Sequence, residues 1–479
     1  MRTHHDDAQI QVTEVDQHRL WLTLVEQSAG TELLRQQLDA FRGSLSWRLT
    51  APLRRLRALL GGSPQPVSLR GKESSGVAVG HADGGLVPRW VGELLARQNG
   101  STSRCLVDVT ELDRRDLGAG VERVTRRLLG ELLMEPPVEG WIQPVRLHQE
   151  GGYVCANHFL ARFLGVVEGT FGADVPLTPR VGDCFIGLDH CRGQAPALRA
   201  ALTDLKQAGV PITLLVHDVL PLTHPEWFPA FVTEEFEAWL RVLATFADRA
   251  LCNSLVTAQE LSTVLEERGL RSGSMERRVF PLGADLPVLP STDMVPRKDQ
   301  GMTRVLTVGT IEPRKGHAQA LDAFEWLWRD GKPFQWVIAG RAGWSVDGLL
   351  KRIRRHPEFG RRLLWVDGPD DRMLAGLYRQ SDMLLAPTLG EGYGLPVAEA
   401  GRLGVPLVLR DLAVFREIAG DHATYFSGLD GRDLARVLAN RQVVASSGEG
   451  NWTTWAQSAR ELKNICSLAP QGPTNRSTI

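Results

Sequence analysis

Two glutamates with seven residues between them, Glu391 and Glu399, stand in the segment Ala386-Pro-Thr-Leu-Gly-Glu391-Gly-Tyr-Gly-Leu-Pro-Val-Ala-Glu399. Gly390, Gly392 and Gly394 let a loop run close to a ligand, because no Cβ stands in the way. Pro396 suits the first position of a helix and Gly404 its end, so a helix is predicted from Pro396 to Leu403. The N–H groups at such a helix start lack intrahelical partners. Together with the helix dipole they favour an anion such as a diphosphate. A carboxylate can accept two hydrogen bonds from a sugar or ribose diol. One segment could therefore bind a donor through Gly392, Tyr393, Gly394 and Leu395 at the phosphates and through Glu391 and Glu399 at hydroxyls. A glycine turn carrying solvated acids is the plain alternative.

A second segment is Val308-Gly309-Thr310-Ile-Glu-Pro-Arg314-Lys315-Gly316-His317. Adjacent cations on a loop between a strand and a helix can neutralise a diphosphate leaving group as charge develops. By themselves, Arg314 and Lys315 read equally as a solvated basic pair. A third is Val216-His217-Asp218-Val-Leu-Pro221. His217 and Asp218 follow an apolar run and could bond a sugar hydroxyl or orient an acceptor. A histidine bonded to backbone or capping a helix is the alternative. Asn253-Ser254 is a similar pair, with helix capping the stronger reading.

These residues need strands and helices to position them, and the apolar pattern supplies both. Short buried strands are predicted at 105–109, 183–189, 212–216, 249–252, 304–308, 336–339, 363–366, 383–386 and 406–409. Helical stretches lie between them, among them 120–133, 196–208, 232–247, 255–268 and 318–328. Apolar strands alternating with helices imply parallel sheets covered on both faces. The segment Pro281–Pro290, with three prolines and a glycine, reads as a hinge between two such halves. The fold class is therefore α/β, with two doubly wound domains facing a cleft. Ligands of such sheets bind beyond the carboxyl ends of the strands.

The two C-terminal segments resemble the signature of retaining GT-B glycosyltransferases of family 4. That pattern is a glutamate, seven residues and a second glutamate, preceded by an Arg/Lys pair in the first loop of the C-terminal domain. The resemblance spans roughly Arg104 to Cys466 and is more specific in its second half. It implies two Rossmann-like domains, an acceptor domain at 104–285 and a nucleotide-sugar domain at 303–466, joined by a linker at 286–302. It implies that Glu391 contacts the donor sugar near the reacting carbon, that Glu399 holds the ribose, and that Arg314 and Lys315 hold the diphosphate. Asp108-Val-Thr followed by Gly118-Ala-Gly120-Val-Glu-Arg123-Val is similar to the family's glycine loop, which places Gly120 at the diphosphate and acceptor. His217 to Phe228 resembles a subgroup of mannosyl- and rhamnosyltransferases that build bacterial surface polysaccharides such as O-antigen. From this resemblance follow transfer with retention, GDP-mannose as first choice of donor, a glycan or lipid-linked acceptor, and no metal or other cofactor. Trp452 to Ala459 is similar to the family's last helix.

Residues 1–60 read as a helical extension, 61–103 as a linker and 467–479 as a disordered tail. From Leu34 to Leu60 an apolar residue, Phe41 or a leucine, recurs every three or four residues. The stretch 41–60 carries five arginines, Trp47 and no acid. Such a helix can lie on an anionic membrane surface; it can equally pack on the protein or pair as a coiled coil, and Pro52 would bend it. Ser46 to Arg54 also resembles a segment that precedes transferase domains in polysaccharide clusters. With 55 basic and 56 acidic residues, net charge −1, the chain lacks the basic excess of a general nucleic-acid binder. Six cysteines without a CxxC pair read as buried reduced thiols, and the polar N-terminus is unlike a signal peptide. A cytoplasmic protein, peripheral at the inner face of the cell membrane, is expected. Two competing readings are a sugar-nucleotide epimerase of the same architecture and a non-catalytic scaffold of a polysaccharide assembly complex.

Overall fold

The computed structural model describes residues 89–101, 103–116, 118, 120–136, 140–270, 275–286, 295–440 and 452–466. The expectations for 1–60, for most of 61–103, for 287–294 and for 467–479 lie outside these residues. The described residues group into two units, 89–96 with 160–171 and the remainder. The smaller unit comprises most of the helix Arg89–Gly100 and the end of the helix Asn157–Phe163.

The larger unit holds two sheets. The first contains β1 (Arg104–Asp108), β2 (Trp141–Leu147), β3 (Tyr153–Cys155), β4 (Val175–Pro176), β5 (Cys184–Gly187), β6 (Ile212–Val216), β7 (Arg249–Cys252) and β8 (Glu276–Val279), in the order β4-β3-β2-β1-β5-β6-β7-β8. It is parallel except for β3 and β4, which run antiparallel at one edge. The second contains β9 (Thr303–Val308), β10 (Phe334–Ala339), β11 (Leu363–Val366), β12 (Met383–Ala386), β13 (Leu407–Arg410) and β14 (Ala423–Phe426), all parallel, in the order β11-β10-β9-β12-β13-β14. In each sheet the first strand lies inside, with later strands added on both sides. That arrangement creates a crevice at the carboxyl ends of β1 and β5, and another at those of β9 and β12.

The strands are buried because helices cover both faces. The helices Gly120–Met134, Ala195–Gln207, Ala230–Phe246 and Leu255–Glu267 belong to the first sheet, and His317–Arg329 and Leu395–Arg402 to the second. Each starts within two residues of its predicted position. Edge elements escape the apolar signal. β8 reads Glu-Arg-Arg-Val and is largely exposed, and β2 is interrupted by Pro144.

One polar device recurs. An aspartate just before a strand accepts from a backbone N–H in the first two residues of the neighbouring strand: Asp183 from Arg104 (3.2 Å), Asp248 from Ile212 (2.8 Å) and Asp382 from Arg304 (2.6 Å). Each bond occupies an otherwise unpaired strand-end donor and helps fix register. Arg104 opens β1, and Arg304 is the second residue of β9. Arg304 is fully buried and bonds to Gln335, Gln380 and the Pro296 carbonyl. All six cysteines are buried as free thiols.

At the mouth of the second crevice, Gly340 after β10 lies against the backbone of Gly309 after β9. A Cβ at Gly340 would stand 2.0 Å from the Gly309 carbonyl oxygen. Gly340→Ala should therefore lower stability by at least about 2 kcal/mol. Gly130→Ala, where a Cβ meets nothing within 4 Å, should be neutral or stabilising. Urea unfolding of both variants checks the pair, and equal midpoints would contradict it.

Candidate functional site

Arg314 and Lys315 end the loop after β9, and Glu391 lies on the loop after β12, the adjacent strand. The structure brings all three together. Lys315 Nζ donates to Glu391 Oε1 at 2.5 Å, and Arg314 Nη1 lies 3.3 Å from Oε2. Arg314 Nη1 also donates to the Gly390 carbonyl (2.8 Å), and its Nε is 2.8 Å from Glu312 Oε1. Burial opposes ionisation of Glu391, but Lys315 and then Arg314 outweigh it and hold its carboxyl below the ordinary value. For Glu312 burial wins, and its carboxyl is pushed up despite the same two cations. The pair expected from sequence is thus not solvated: both side chains are largely buried.

The loops are shaped to allow this. Gly316 has φ +71°, and a Cβ there would lie 2.2 Å from the Pro387 carbonyl oxygen. Gly309, at φ +139°, passes under the Lys315 chain. Thr310 lies beside it, against Gly343. Gly394 caps the Leu395 helix in the left-handed region, φ +94°, with Phe415 where a side chain would be. The helix runs Leu395–Arg402, so Pro396 is its second residue, and it has no N–H. The Val397 N–H is already bonded to the Gly394 carbonyl at 2.8 Å. Few helix-start donors remain for an anion, and the burden moves to the cationic pair. Tyr393 donates to the Leu282 carbonyl (2.8 Å), which ties the loop to the segment expected as a hinge.

Glu399 is not open to a ligand as it stands. It is 1% exposed. Its Oε1 accepts from Arg123 Nη2 at 2.5 Å and its Oε2 from the Tyr378 hydroxyl at 2.8 Å. Arg123 also pairs with Asp371 (2.9 Å), which Arg127 holds from its other oxygen (2.7 Å). Burial pushes the Glu399 carboxyl up even against Arg123. Asp371 is partly buried, and Arg123 and Arg127 outweigh that burial and bring its carboxyl down to about 2. Arg123 projects from the Gly120 helix of the first sheet, so the partner of this carboxylate comes from the other half of the chain. A Cβ on Gly120 itself would meet nothing within 4 Å, which leaves the space beside it open.

His217 and Asp218 reach the same glycine loop. The His217 carbonyl oxygen approaches Gly392 so closely that a Cβ there would be 1.8 Å away, and the Asp218 Cβ is next nearest along that side. Asn253 donates to that carbonyl (2.7 Å), and Ser254 and Thr257 donate to the Gly392 carbonyl at 2.7 and 3.1 Å. The His217 ring is bonded to the Leu188 carbonyl through Nε2 at 2.8 Å, so that nitrogen carries the proton. Asp218 accepts from the Leu220 N–H. The backbone-bonding alternative therefore describes both side chains here. Ser254 caps the Leu255–Glu267 helix as its position suggested.

Sequence reasoning missed Arg123, Tyr378, Asp371, His317, Asp189 and His190 as site residues. Asp189-His190 follows β5 much as His217-Asp218 follows β6, and that parallel was the available signal. Burial, aided by Glu122 and Glu111, pushes the Asp189 carboxyl up to about 7, although His190 N–H and Arg192 act the other way. Among the described residues no three His, Cys, Asp or Glu side chains are gathered as a metal ion would need.

Arg123→Ala takes the cation from the buried Glu399 and leaves Asp371 with Arg127 alone. It should cost about 3 kcal/mol in chemical unfolding, with Glu399→Gln in that background recovering part of the loss. A cost below ~1 kcal/mol would mean that solvent screens the pair. Asp189 gives a pH signature. Its folded carboxyl titrates near 7 against an ordinary 3.8, so folding binds a proton in that window and stability falls as pH rises through it. Asp189→Asn should match the wild type at pH 3.5, gain on it as pH rises, and level off above 7. Parallel melting curves across that range would contradict this.

Residues 293–435 match the family described as Glycosyl transferases group 1. The chain is 38% identical over 388 residues to the serotype-specific mannosyltransferase WbdA of Escherichia coli, covering 77% of this chain and 46% of that protein. It is 28% identical over 257 residues to the O-antigen chain mannosyltransferase B of Escherichia coli, covering 49% of this chain and 61% of that one. The chain thus spans about half the length of WbdA. Its fold is similar to that of Anabaena Alr3699/HepE in complex with UDP-glucose, with TM-score 0.53, 14% identity, 76% of this chain and 100% of that chain covered. Two parallel-dominated sheets with ligand crevices at their strand ends, and the match over the half that carries Arg314, Lys315, Glu391 and Glu399, lead to one assignment: the chain has the GT-B fold and carries a glycosyl transferases group 1 domain.

Proposed function

We propose that this protein is a retaining hexosyltransferase of family 4 type. It moves mannose from GDP-mannose to a glycan or lipid-linked saccharide in surface polysaccharide synthesis. The observation that carries the reading is the convergence of Lys315, Arg314 and Glu391 at the carboxyl ends of β9 and β12. A diphosphate entering this crevice meets two buried cations, both held by Glu391, with Glu312 also beside Arg314. As the donor binds, the cations turn part of their charge to the phosphates, and Glu391 is left facing the sugar. The choice of mannose rests on the mannosyltransferase names of the Escherichia coli relatives.

In this reading the ribose diol reaches Glu399 by displacing Arg123 from Oε1, while Tyr378 keeps Oε2. Gly309, Thr310 and the loop Gly392 to Leu395 line the phosphates. Gly120 leaves room for donor and acceptor on the opposite side. His217 and Asp218 help position the acceptor next to Gly392. The bond from the anomeric carbon to the phosphate oxygen breaks, and the acceptor oxygen bonds to that carbon from the same face. The acceptor proton passes to the departing phosphate oxygen. Arg314 and Lys315 stabilise the charge that builds there, so the scheme calls for no metal.

No helix among the described residues is long and apolar enough to cross a membrane. A lipid-linked acceptor would bring the enzyme to a membrane surface, with 41–60 as the contact.

Arg314→Ala and Glu391→Ala should each reduce mannosyl transfer from GDP-mannose by roughly 10²-fold or more. Both should be assayed with a synthetic mannosylated acceptor, and their folding checked by circular dichroism. Folded variants that turn over donor at the wild-type rate would overturn the reading. A thermal-shift comparison of GDP-mannose, UDP-glucose and other nucleotide sugars tests the choice of donor.

A further inference from the structure

His317 is the first residue of the helix His317–Arg329, and the ring is 1% exposed. Among the described residues neither of its nitrogens has a hydrogen-bond partner. A neutral imidazole always carries one N–H. A donor is therefore buried unpaired, a condition about as costly as a lost hydrogen bond. Burial and then the charge of Lys315 push the imidazole down to about 3, so it is neutral at physiological pH.

His317 lines a recess of about 300 Å³, part of it open to solvent, whose other walls include Thr307, Lys315, Thr388, Glu391 and Gly394. This recess lies at the ends of β9 and β12, the crevice where a doubly wound sheet binds its ligand. Two acceptor groups on the same walls already have partners. Thr307 Oγ1 accepts from Trp336 Nε1 at 3.0 Å, and both oxygens of Glu391 face Lys315 and Arg314. No acceptor among the described residues meets the ring, and an anionic oxygen drawn into the recess by Lys315 would supply one.

We propose that His317 is a donor-binding residue, whose uncharged N–H bonds to a phosphate oxygen of the nucleotide diphosphate. This rests on the reading of the crevice as the donor site. The bond supplies direction where Lys315 supplies charge: a compact ammonium attracts the phosphates from many angles, whereas a ring locked in a buried rotamer accepts one placement. His317 thereby helps set the angle at which the diphosphate departs.

The test measures binding of GDP, UDP and the parent nucleosides to the full chain by calorimetry, for the wild type, His317→Phe, His317→Asn and His317→Gln. His317→Phe should weaken the diphosphate that the wild type binds by about tenfold and leave nucleoside binding unchanged. Its ligand-free melting temperature should not fall, since the unpaired donor is gone; a merely structural histidine would lose stability instead. At least one amide variant should recover affinity, as Asn and Gln each restore an N–H near one ring nitrogen. Equal diphosphate affinity in wild type and His317→Phe, equal losses for diphosphate and nucleoside, or no recovery by either amide would each overturn the proposal. A wild type that binds neither diphosphate would instead overturn the donor-site reading on which it rests.

Discussion

A carboxylate taken out of water must be met by a cation or lose its charge. The segment Glu391 to Glu399 buries two of them at either end of one short stretch. Glu391 finds its cations within its own half, on the neighbouring loop after β9. Glu399 finds Arg123, which belongs to the other half. The first choice gathers the cations where an anionic ligand can use them. The second makes the pairing of the two halves a condition for keeping Glu399 ionised. The opposite directions in which the two carboxyls are pushed express this difference: Glu391 is held down by two cations, whereas Glu399 has one and remains dominated by burial.

The glycines follow from the same demand. For Glu391 to reach Lys315 and Arg314, its loop must run under the His217 carbonyl and beside Trp227, where side chains at Gly392 and Gly390 would collide. The loop carbonyl at Gly392 is then bonded by Ser254 and Thr257, so close approach leaves no backbone acceptor stranded. At the opposite ends of the strands, the aspartates before β5, β7 and β12 hold strand order without entering the site. Register and chemistry are thus kept at opposite edges of each sheet.

Particular residues show why part of the site was legible and part was not. Arg314, Lys315 and Glu391 announced themselves because charge sits next to glycine and just after an apolar strand, and each of those signals is local. His317 stood in the same segment and gave no sign. A lone histidine at a helix start becomes informative only when both ring nitrogens are seen to lack partners. Arg123 was visible as one arginine among several on an amphipathic helix. Its pairing with Glu399 joins residues 276 positions apart, a separation that spacing cannot encode. His217 shows the reverse. Its polarity suggested a ligand contact, while its ring is bonded to the Leu188 carbonyl.

The sequence alone determined the alternation of buried strands and helices, the parallel character of the sheets and the loops on which the acidic and basic residues stand. All of these are written in periodicities of a few residues and in local backbone preferences. Only the tertiary structure decided the partners: which cation meets which carboxylate, which glycine lies under a carbonyl, and which buried donor has no acceptor. Those outcomes depend on distances between segments far apart in the chain, and burial turns each small difference in distance into a large electrostatic one. Glu391 and Glu399 look alike in the sequence, and the fold alone gives them different cations from different halves of the molecule.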